Sequence, residues 1–107
     1  MSDEPETPID ERQSYEQQLA EANQRLAGTP DSIEALAERG DAYYELGELD
    51  KALADFNRII EVQPNSPDAY VYRGIIHADK GQLNLAIVDY NQALILDPTF
   101  IKAYNNR

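Results

Sequence analysis

Few residues of this chain have side chains suited to catalysis or metal binding. The 107 residues include one histidine, His77, and no cysteine. A nucleophile–base pair needs a second group beside the histidine, and a zinc site needs several nitrogen or sulfur ligands. A lone histidine on the apolar stripe of a predicted helix is typically a packed residue. We therefore expect no metal, no cofactor and no enzymatic activity.

Carboxylates are the commonest ionisable groups of the chain. Twenty Asp and Glu residues against nine Lys and Arg residues give a net charge of -11. Acids on helix surfaces are usually solvated, so we do not expect acid–base catalysis by a carboxylate pair. An acidic chain repels phosphate backbones and anionic lipid headgroups, so neither nucleic acid nor a membrane is an expected partner. The charge either keeps copies of the chain apart in solution or forms an acidic binding surface.

The sequence shows no sign of a targeting or membrane segment. No apolar run approaches the ~18–20 residues that a helix needs to span a bilayer. The first residues have neither the basic start nor the apolar run of a secretory signal. We therefore expect a cytoplasmic protein.

The N-terminal part of the chain divides into two segments. Residues 1–13 are acidic, with two prolines and one large aliphatic residue. Such a composition cannot bury enough apolar surface to offset the entropy lost on ordering, which predicts a disordered tail. From Tyr15 onward apolar residues recur at helical spacing until a glycine and a proline end the run, which predicts a helix over 14–30.

The remainder of the chain repeats itself with a period of 34 residues. One copy spans residues 31–66, a second spans 67–100, and a third begins at 101–107. A fixed period in this range indicates stacked supersecondary units. Identical pairs that the shift superimposes include Ala35/Ala69, Arg39/Arg73, Gly40/Gly74, Gly47/Gly81, Leu49/Leu83, Ala52/Ala86, Asp55/Asp89, Asn57/Asn91 and Pro64/Pro98.

Each copy is predicted to form two helices joined by a glycine turn. Apolar residues at helical spacing predict helices over 33–46, 49–62, 67–80 and 83–96. Gly47 and Gly81 lie between paired helices, where a left-handed residue ends a helix. Asp31 precedes Glu34 by three residues, which predicts a capping box, and Ser66 is a predicted N-cap of the following helix.

A 34-residue helix–turn–helix of this kind resembles the tetratricopeptide repeat, in the form, typical of bacterial members, with an Arg-Gly pair in its first helix. The matching residues are Gly40, Tyr43, Gly47, Ala52, Phe56 and Pro64, and then Tyr70, Gly74, Gly81, Ala86, Tyr90, Ala93 and Pro98. The resemblance implies an all-α, right-handed solenoid of antiparallel helix pairs with two full repeats. Residues 14–30 would be a degenerate half repeat and 101–107 the start of a truncated third repeat. It also implies a protein–protein interaction module, a scaffold or adaptor, rather than an enzyme.

Small residues at matched positions predict close helix packing. Gly40 is expected to face Ala52, and Gly74 to face Ala86, so that the two backbones of each repeat approach closely. The aromatic residues Phe56 and Tyr90 are expected to fill the space beside these contacts.

Arginines and acids that share the 34-residue spacing predict a ladder of ion pairs. The arginines are Arg39, Arg73 and Arg107, and the acids are Glu21, Asp55 and Asp89. Bidentate pairs would form either within a repeat, as Arg73–Asp89, or between repeats, as Arg73–Asp55. The alternative is that the arginines only lie along the surface with packed stems.

The resemblance places the binding surface on the concave face, which the first helix of each repeat lines. The implied groove residues are Glu34, Glu38, Asp41, Tyr44, Glu45, Asp68, Tyr72, Ile75, Asp79, Lys102, Asn105 and Asn106. Tyr44 and Tyr72 are rigid, amphipathic side chains of the kind enriched at binding hot spots. This groove is acidic, so the expected partner is a basic or apolar peptide, unless the acids form only a solvated face.

Ala37 and Asp41 argue against one function that occurs among similar repeat proteins, the binding of acidic peptide tails. Some relatives bind the acidic C-terminal tails of chaperones with a cluster of Lys, Arg and Asn. Ala37 and Asp41 occupy positions where such a cluster needs a basic residue and an asparagine. We therefore do not expect acidic-tail binding.

A second function class stays open. If the chain stops at Arg107, the face of the helix over 83–96 lacks the cover that a complete third repeat would give it. The alternative function is therefore a structural or assembly module that forms a homo-oligomer through this C-terminal face.

Overall fold

The structure of the protein, a computed structural model, describes residues 8–99. The helices are α1 (Pro8–Gly28), α2 (Ile33–Glu45), α3 (Leu49–Val62), α4 (Pro67–Asp79) and α5 (Leu83–Leu96). Each helix packs mainly on the next one along the chain, and the described part contains no strand. The predicted all-α solenoid of helix pairs is therefore confirmed, whereas the third-repeat segment 101–107 lies outside the described residues.

The first helix begins earlier than predicted. Helix α1 starts at Pro8, so the prediction of a disordered tail is wrong for residues 8–13. Proline is favoured at the first helical position because its missing N–H needs no partner there, and acids in the first turn complement the helix dipole. Arg12 Nε also lies 3.3 Å from Glu16 Oε2, one turn further on. These helix-start features outweigh the polar composition.

The two glycine turns have the predicted conformation. Gly47 has φ 84° and Gly81 has φ 81°, and no other described residue has a positive φ. A left-handed residue at this point lets backbone N–H groups reach the last carbonyls of the helix before it. The N–H of Glu48 donates to the carbonyl of Tyr43 over 2.8 Å, and the N–H of Gln82 repeats this bond to His77 over 2.8 Å.

Serine hydroxyls cap the first helix of each repeat. Ser32 Oγ accepts from the N–H of Ala35 over 3.2 Å, and Ser66 Oγ accepts from the N–H of Ala69 over 3.3 Å. The predicted Ser66 cap is confirmed. The predicted capping box that begins at Asp31 is wrong, because the helix starts one residue later and Ser32 takes the cap position.

Glycine lets an aromatic ring from the second helix of each repeat lie against the first helix. A Cβ atom on Gly40 would lie 2.7 Å from Phe56 Cε2. A Cβ atom on Gly74 would lie 2.7 Å from Tyr90 Cε1 and 3.3 Å from the carbonyl oxygen of Ala86. The predicted close approach of Gly74 to Ala86 is confirmed, whereas the nearest atoms to Gly40 belong to Phe56; in both repeats the ring lies on the glycine itself rather than beside it.

The core runs along the stack rather than through a single globule. Its buried members are Leu26, Ala35, Leu36, Ala52, Phe56, Ile59, Ala69 and Ile76. Every helix from α1 to α4 contributes, so the position of each helix depends on its neighbours. This continuous core fixes α2 and α4 side by side.

Candidate functional site

A cavity lies between α2 and α4, the first helices of the two repeats. It has a volume of about 320 Å³ and is lined by Asp41, Tyr44, Glu45, Phe56, Tyr72, Ile75 and Ile76. The structure thus brings together five of the predicted groove residues, and it adds the apolar side chains of Phe56 and Ile76.

A second cavity adjoins the first toward α1. It has a volume of about 200 Å³ and is lined by Gln18, Ala37, Glu38, Asp41, Phe56 and Tyr72. Because Asp41, Phe56 and Tyr72 line both cavities, the two form one continuous depression. We call this depression, defined by the residues that line the two cavities, the tyrosine groove.

Contacts within the chain orient the rings of the tyrosine groove. Tyr44 Oη donates a hydrogen bond to Asp79 Oδ2 over 2.6 Å. The rings of Phe56 and Tyr72 are tilted by 31° with centroids 5.4 Å apart, a favourable geometry for an aromatic pair. The side chain of Tyr72 is nevertheless 46% exposed. The groove therefore offers exposed aromatic surface on side chains that already have packing partners.

Four of the six predicted groove acids, all of them on α2, fall into two groups. Arg25 of α1 binds two of them, with Nη1 2.8 Å from Glu38 Oε1 and Nη2 3.2 Å from Glu34 Oε1. By contrast, no basic side chain among the described residues forms an ion pair with Asp41 or Glu45. Neither Asp41 nor Glu45 is thus neutralised by a described basic side chain, although Asp41 Oδ2 accepts a hydrogen bond from Gln18 Nε2 over 3.4 Å.

A tyrosine that the sequence had placed only on an apolar stripe lies within the field of these acids. The pKa of the Tyr15 phenol is raised, first by the charge of Glu45, then by burial, and further by Asp41 and Glu11. Tyr15 belongs to α1, so its place beside the groove depends on how α1 packs on α2. The 34-residue pattern did not predict that Tyr15 lies near these acids, because α1 is a degenerate unit of the repeat.

The remaining predicted groove residues do not line the groove. Glu34 and Asp68 are exposed near the starts of their helices, Asp79 is exposed at the end of α4, and none of the three lines either cavity. Lys102, Asn105 and Asn106 lie outside the described residues.

The predicted arginine ladder forms within each repeat. Arg73 donates from Nε to Asp89 Oδ2 over 2.9 Å and from Nη2 to Oδ1 over 2.7 Å. Arg39 makes the same two bonds to Asp55, over 2.9 and 2.7 Å. Both aspartates are almost fully buried. These hydrogen bonds raise the pKa of each guanidinium above its ordinary value, although burial opposes the rise.

Asparagines rather than acids connect the ladder between units. The remaining Arg73 nitrogen, Nη1, donates to Asn57 Oδ1 over 2.9 Å, and Arg39 Nη1 donates to Asn23 Oδ1 over 2.8 Å. The predicted Arg73–Asp55 pair between repeats is therefore wrong, since Asp55 is already engaged by its own repeat. Glu21 is not part of the ladder and accepts from Gln17 instead. The 34-residue spacing of the two asparagines was the signal that could have identified this link.

His77 is a packed residue, as predicted. Its side chain is 12% exposed, and Nε2 lies 3.7 Å from Asp89 Oδ2. Its Nδ1 lies 3.0 Å from Gln82 Oε1. Among the described residues no group of His, Asp and Glu side chains is arranged to hold a metal ion. Between residues 8 and 99, no helix has the length and apolarity needed to cross a membrane.

Comparison with known proteins identifies the repeat. The family described as TPR repeat matches residues 40–81, and the family described as Tetratricopeptide repeat matches residues 67–100. No curated protein matches the chain.

Solved structures share the fold. The chain resembles the crystal structure of MamA with a TM-score of 0.75 and 26% identity, over 80% of this chain and 50% of that one. It resembles the first TPR of Spaghetti (RPAP3) bound to the HSP90 peptide SRMEEVD with a TM-score of 0.80 and 22% identity, over 92% of this chain and 79% of that one. The chain thus spans half the length of the MamA structure.

The two family matches together span residues 40–100, more than half of the chain. These matches agree with the structure, in which glycine turns join paired helices and an aromatic ring packs on a glycine in each repeat. Stacked repeats of this kind form extended surfaces for binding other proteins, and the fold is one of interaction modules rather than enzymes. The chain belongs to the tetratricopeptide-repeat family.

Proposed function

We propose that this chain is an adaptor that binds a basic or apolar peptide of a partner protein in the tyrosine groove. One observation carries the proposal: Asp41 and Glu45 line the same cavity as Tyr44 and Tyr72, and no described basic residue pairs with either acid. Such an arrangement attracts positive charge to an apolar surface.

The form of the groove supports a peptide as the ligand. Its larger cavity, about 320 Å³, lies within the range of roughly 300–1,000 Å³ that is common for ligand sites. Contacts within the chain already orient the rings of Tyr44 and Tyr72. Because these rings lose little conformational entropy when a partner binds, more of the contact energy becomes affinity. Tyrosine is also one of the residues that most often dominate binding energy at interfaces.

The charge of the groove separates this chain from the peptide-bound neighbour. The peptide in that structure, SRMEEVD, carries three acids in its last four residues. The carboxylates of Asp41 and Glu45 would repel such a sequence, because like charges brought together at an interface cost several kcal/mol. We therefore assign the opposite charge to the partner of this chain.

A displayed library of random heptapeptides tests the proposal. Peptides selected on the full chain are measured by fluorescence anisotropy against two charge-matched variants. The groove variant carries Asp41→Asn and Glu45→Gln, and the control variant carries Glu48→Gln and Glu61→Gln, two acids that line neither cavity.

The expected peptides are basic or apolar. The groove variant is expected to weaken the binding of basic peptides about tenfold, or about 1.4 kcal/mol, and the control variant by less than about twofold. Predominantly acidic peptides, or equal losses in the two variants, would contradict the proposal.

The outer surface of α5 favours a second candidate function, self-association. The positions Leu85, Val88, Gln92 and Ile95 correspond by the 34-residue shift to Lys51, Ala54, Arg58 and Glu61 of α3. The α3 positions remain exposed although α4 packs on α3. The α5 set, which we call the outer stripe, is therefore not a surface that a further repeat of the same solenoid would cover. Its aliphatic side chains are 48%, 62% and 72% exposed in chain order.

A second copy of the chain fits the outer stripe. The intervals between its residues are three, four and three, so they read the same in both directions. Two antiparallel copies of α5 would therefore place Leu85 opposite Ile95 and Val88 opposite Gln92, as a two-fold interface requires. No charged side chain lies on the stripe, so the copies meet there without local repulsion, although their net charge of -11 opposes association.

Sedimentation equilibrium tests the second candidate. A dimer is expected at high protein concentration, and added salt is expected to strengthen it because screening reduces the repulsion between acidic copies. Val88→Glu is expected to abolish the dimer, whereas Ala54→Glu, at the matching position of α3, is expected to leave it intact. A monomer at every concentration and salt level would eliminate this candidate.

A further inference from the structure

We infer that the tyrosine groove contains a subsite for one long cationic side chain, a lysine or an arginine of the partner peptide. Its head group would lie at Asp41 and Glu45, and its stem would lie along the apolar wall. The inference rests on the proposed function and makes it more specific, because it names the chemical group that the groove selects.

The cavity has two chemically different parts. Phe56, Ile75 and Ile76 form an apolar wall, whereas Asp41 and Glu45 are exposed at the rim. Lysine and arginine combine an aliphatic stem with a charged end, and they commonly bury the stem while the charge stays at a polar edge. A purely aliphatic side chain would use only the wall, and a short cation would reach only the rim.

Aromatic rings add a second attraction for a cation. Tyr44 and Tyr72 line the same cavity as the two acids. A cation within about 6 Å of a ring centroid gains roughly 0.5–1 kcal/mol at an exposed site. Tyr44 is held through its hydroxyl by Asp79, so its orientation does not depend on the ligand. The rings and the carboxylates therefore favour the same kind of head group.

None of the described basic residues pairs with Asp41 or Glu45, the two acids of the subsite. Each of them forms an ion pair with another acid or lies over a tyrosine ring: Arg12–Glu16, Arg25–Glu38, Arg39–Asp55, Lys51 over Tyr43, Arg58–Asp31, Arg73–Asp89 and Lys80–Asp50. The other two basic residues, Lys102 and Arg107, lie outside the described residues. A cation at the rim of the groove would thus not displace a described internal pair.

An independent effect on Tyr15 agrees with this placement. The same two carboxylates raise the pKa of its phenol, Glu45 more strongly than Asp41. A negative field that disfavours ionisation of a phenol favours the protonated, charged form of an amine. The two acids that raise the pKa of Tyr15 are thus the ones that would attract the cationic group.

Two small probes that differ in charge test the subsite directly. The full chain, with ¹³C-labelled tyrosine rings, is titrated with n-butylammonium, which mimics the end of a lysine side chain, and with n-butanol, its uncharged counterpart. Propylguanidinium serves as the probe for arginine. Signals are assigned with Tyr44→Phe and Tyr72→Phe, and folding of every variant is checked by circular dichroism.

Saturable shifts of the Tyr44 and Tyr72 signals are expected with at least one of the cations and not with n-butanol. The groove variant is expected to weaken this binding about tenfold and the control variant less than about twofold. Equal shifts with butanol, equal losses in both variants, or shifts that never saturate would overturn the inference. Equal losses would show that the net charge of the chain, rather than a site, attracts the cation.

The test separates this inference from the proposed function. If the cations do not bind but selected peptides still lose affinity in the groove variant, the cation subsite is wrong and the groove function stands. If peptide binding is equal in the groove and control variants, the proposed function itself fails. That failure of the proposed function would follow from the peptide measurements whether or not the small cations bind.

Discussion

Two ion pairs of this chain have similar contact distances but very different burial, and we predict that they differ in energy. In the buried pair, Arg73 binds Asp89 through two parallel hydrogen bonds of 2.9 and 2.7 Å, and the side chains are 23% and 3% exposed. In the exposed pair, Arg58 Nε and Nη2 both donate to Asp31 Oδ1, over 3.0 and 2.7 Å, and the side chains are 46% and 54% exposed. A double-mutant cycle measures the coupling energy of each pair.

The expected magnitudes follow from solvent access. Arg73→Met leaves the Asp89 carboxylate buried without its guanidinium, a situation that costs about 3–5 kcal/mol of unfolding free energy. Asp89→Asn keeps the shape but removes the charge, so the double variant is expected to lose less than the sum of the single losses. The coupling energy is expected to lie at about 1–3 kcal/mol. For Arg58→Met and Asp31→Asn the coupling is expected to be below about 1 kcal/mol.

Urea unfolding followed by circular dichroism measures both cycles. A domain of this size has roughly 5–15 kcal/mol of stability, so Arg73→Met can approach the limit of folding. Arg73→Lys is the milder variant, because lysine keeps the charge but cannot form the fork, and a loss of about 1.5–3 kcal/mol is expected. Equal coupling in the buried and exposed pairs would refute the claim that burial sets the energy of the ladder.

Two further predictions concern the glycine contact and the charge of the groove. Gly74→Ala places a Cβ atom 2.7 Å from a ring carbon, so a loss of about 1–3 kcal/mol from overpacking is expected in urea unfolding. Gly28→Ala meets nothing within 4 Å, and it is expected to be neutral or to stabilise by up to about 1 kcal/mol; equal losses would contradict the contact. Glu45→Gln is expected to lower the pKa of Tyr15 toward its ordinary value, because Glu45 is the largest cause of the rise. A ¹³C-detected pH titration measures this shift, and an equal shift in Glu48→Gln would contradict the assignment.

The period of the sequence predicted most of the fold because each repeat contains its own local signals. Turn glycines, serine caps and apolar spacing act within a few residues, so they are visible without tertiary information. The predicted helices near 67–80 and 83–96 agree with α4 and α5 to within a residue or so. The capping box at Asp31 failed for a local reason as well, because a serine one residue later is an equally good cap.

The site was harder to predict because its charges depend on contacts between units. Nothing in the sequence near Glu34 or Glu38 indicates that Arg25 neutralises both. Arg25 corresponds by the 34-residue shift to Ile59, a core residue of α3, so the regular pattern gave no role for a charge there. The effect of the groove acids on Tyr15 has the same origin, because it depends on how α1 packs on α2.

A comparison of the two repeats separates the residues that build the frame from those that give the groove its character. The arginine, aspartate, asparagine and glycine positions of the frame are identical in both copies, and their side chains or backbones make the contacts between helices. The groove positions differ: Asp41 corresponds to Ile75, Glu38 to Tyr72, and Tyr44 to an alanine. Helix α2 therefore gives the groove its acids, of which Asp41 and Glu45 form no ion pair with a described basic residue, and α4 gives it apolar surface. A peptide in the groove meets a different chemistry on each side, so its cationic residue is expected to lie over α2 and its apolar residues over α4. Because the two sides of the groove differ although the frame repeats, we expect a bound peptide to have one preferred orientation.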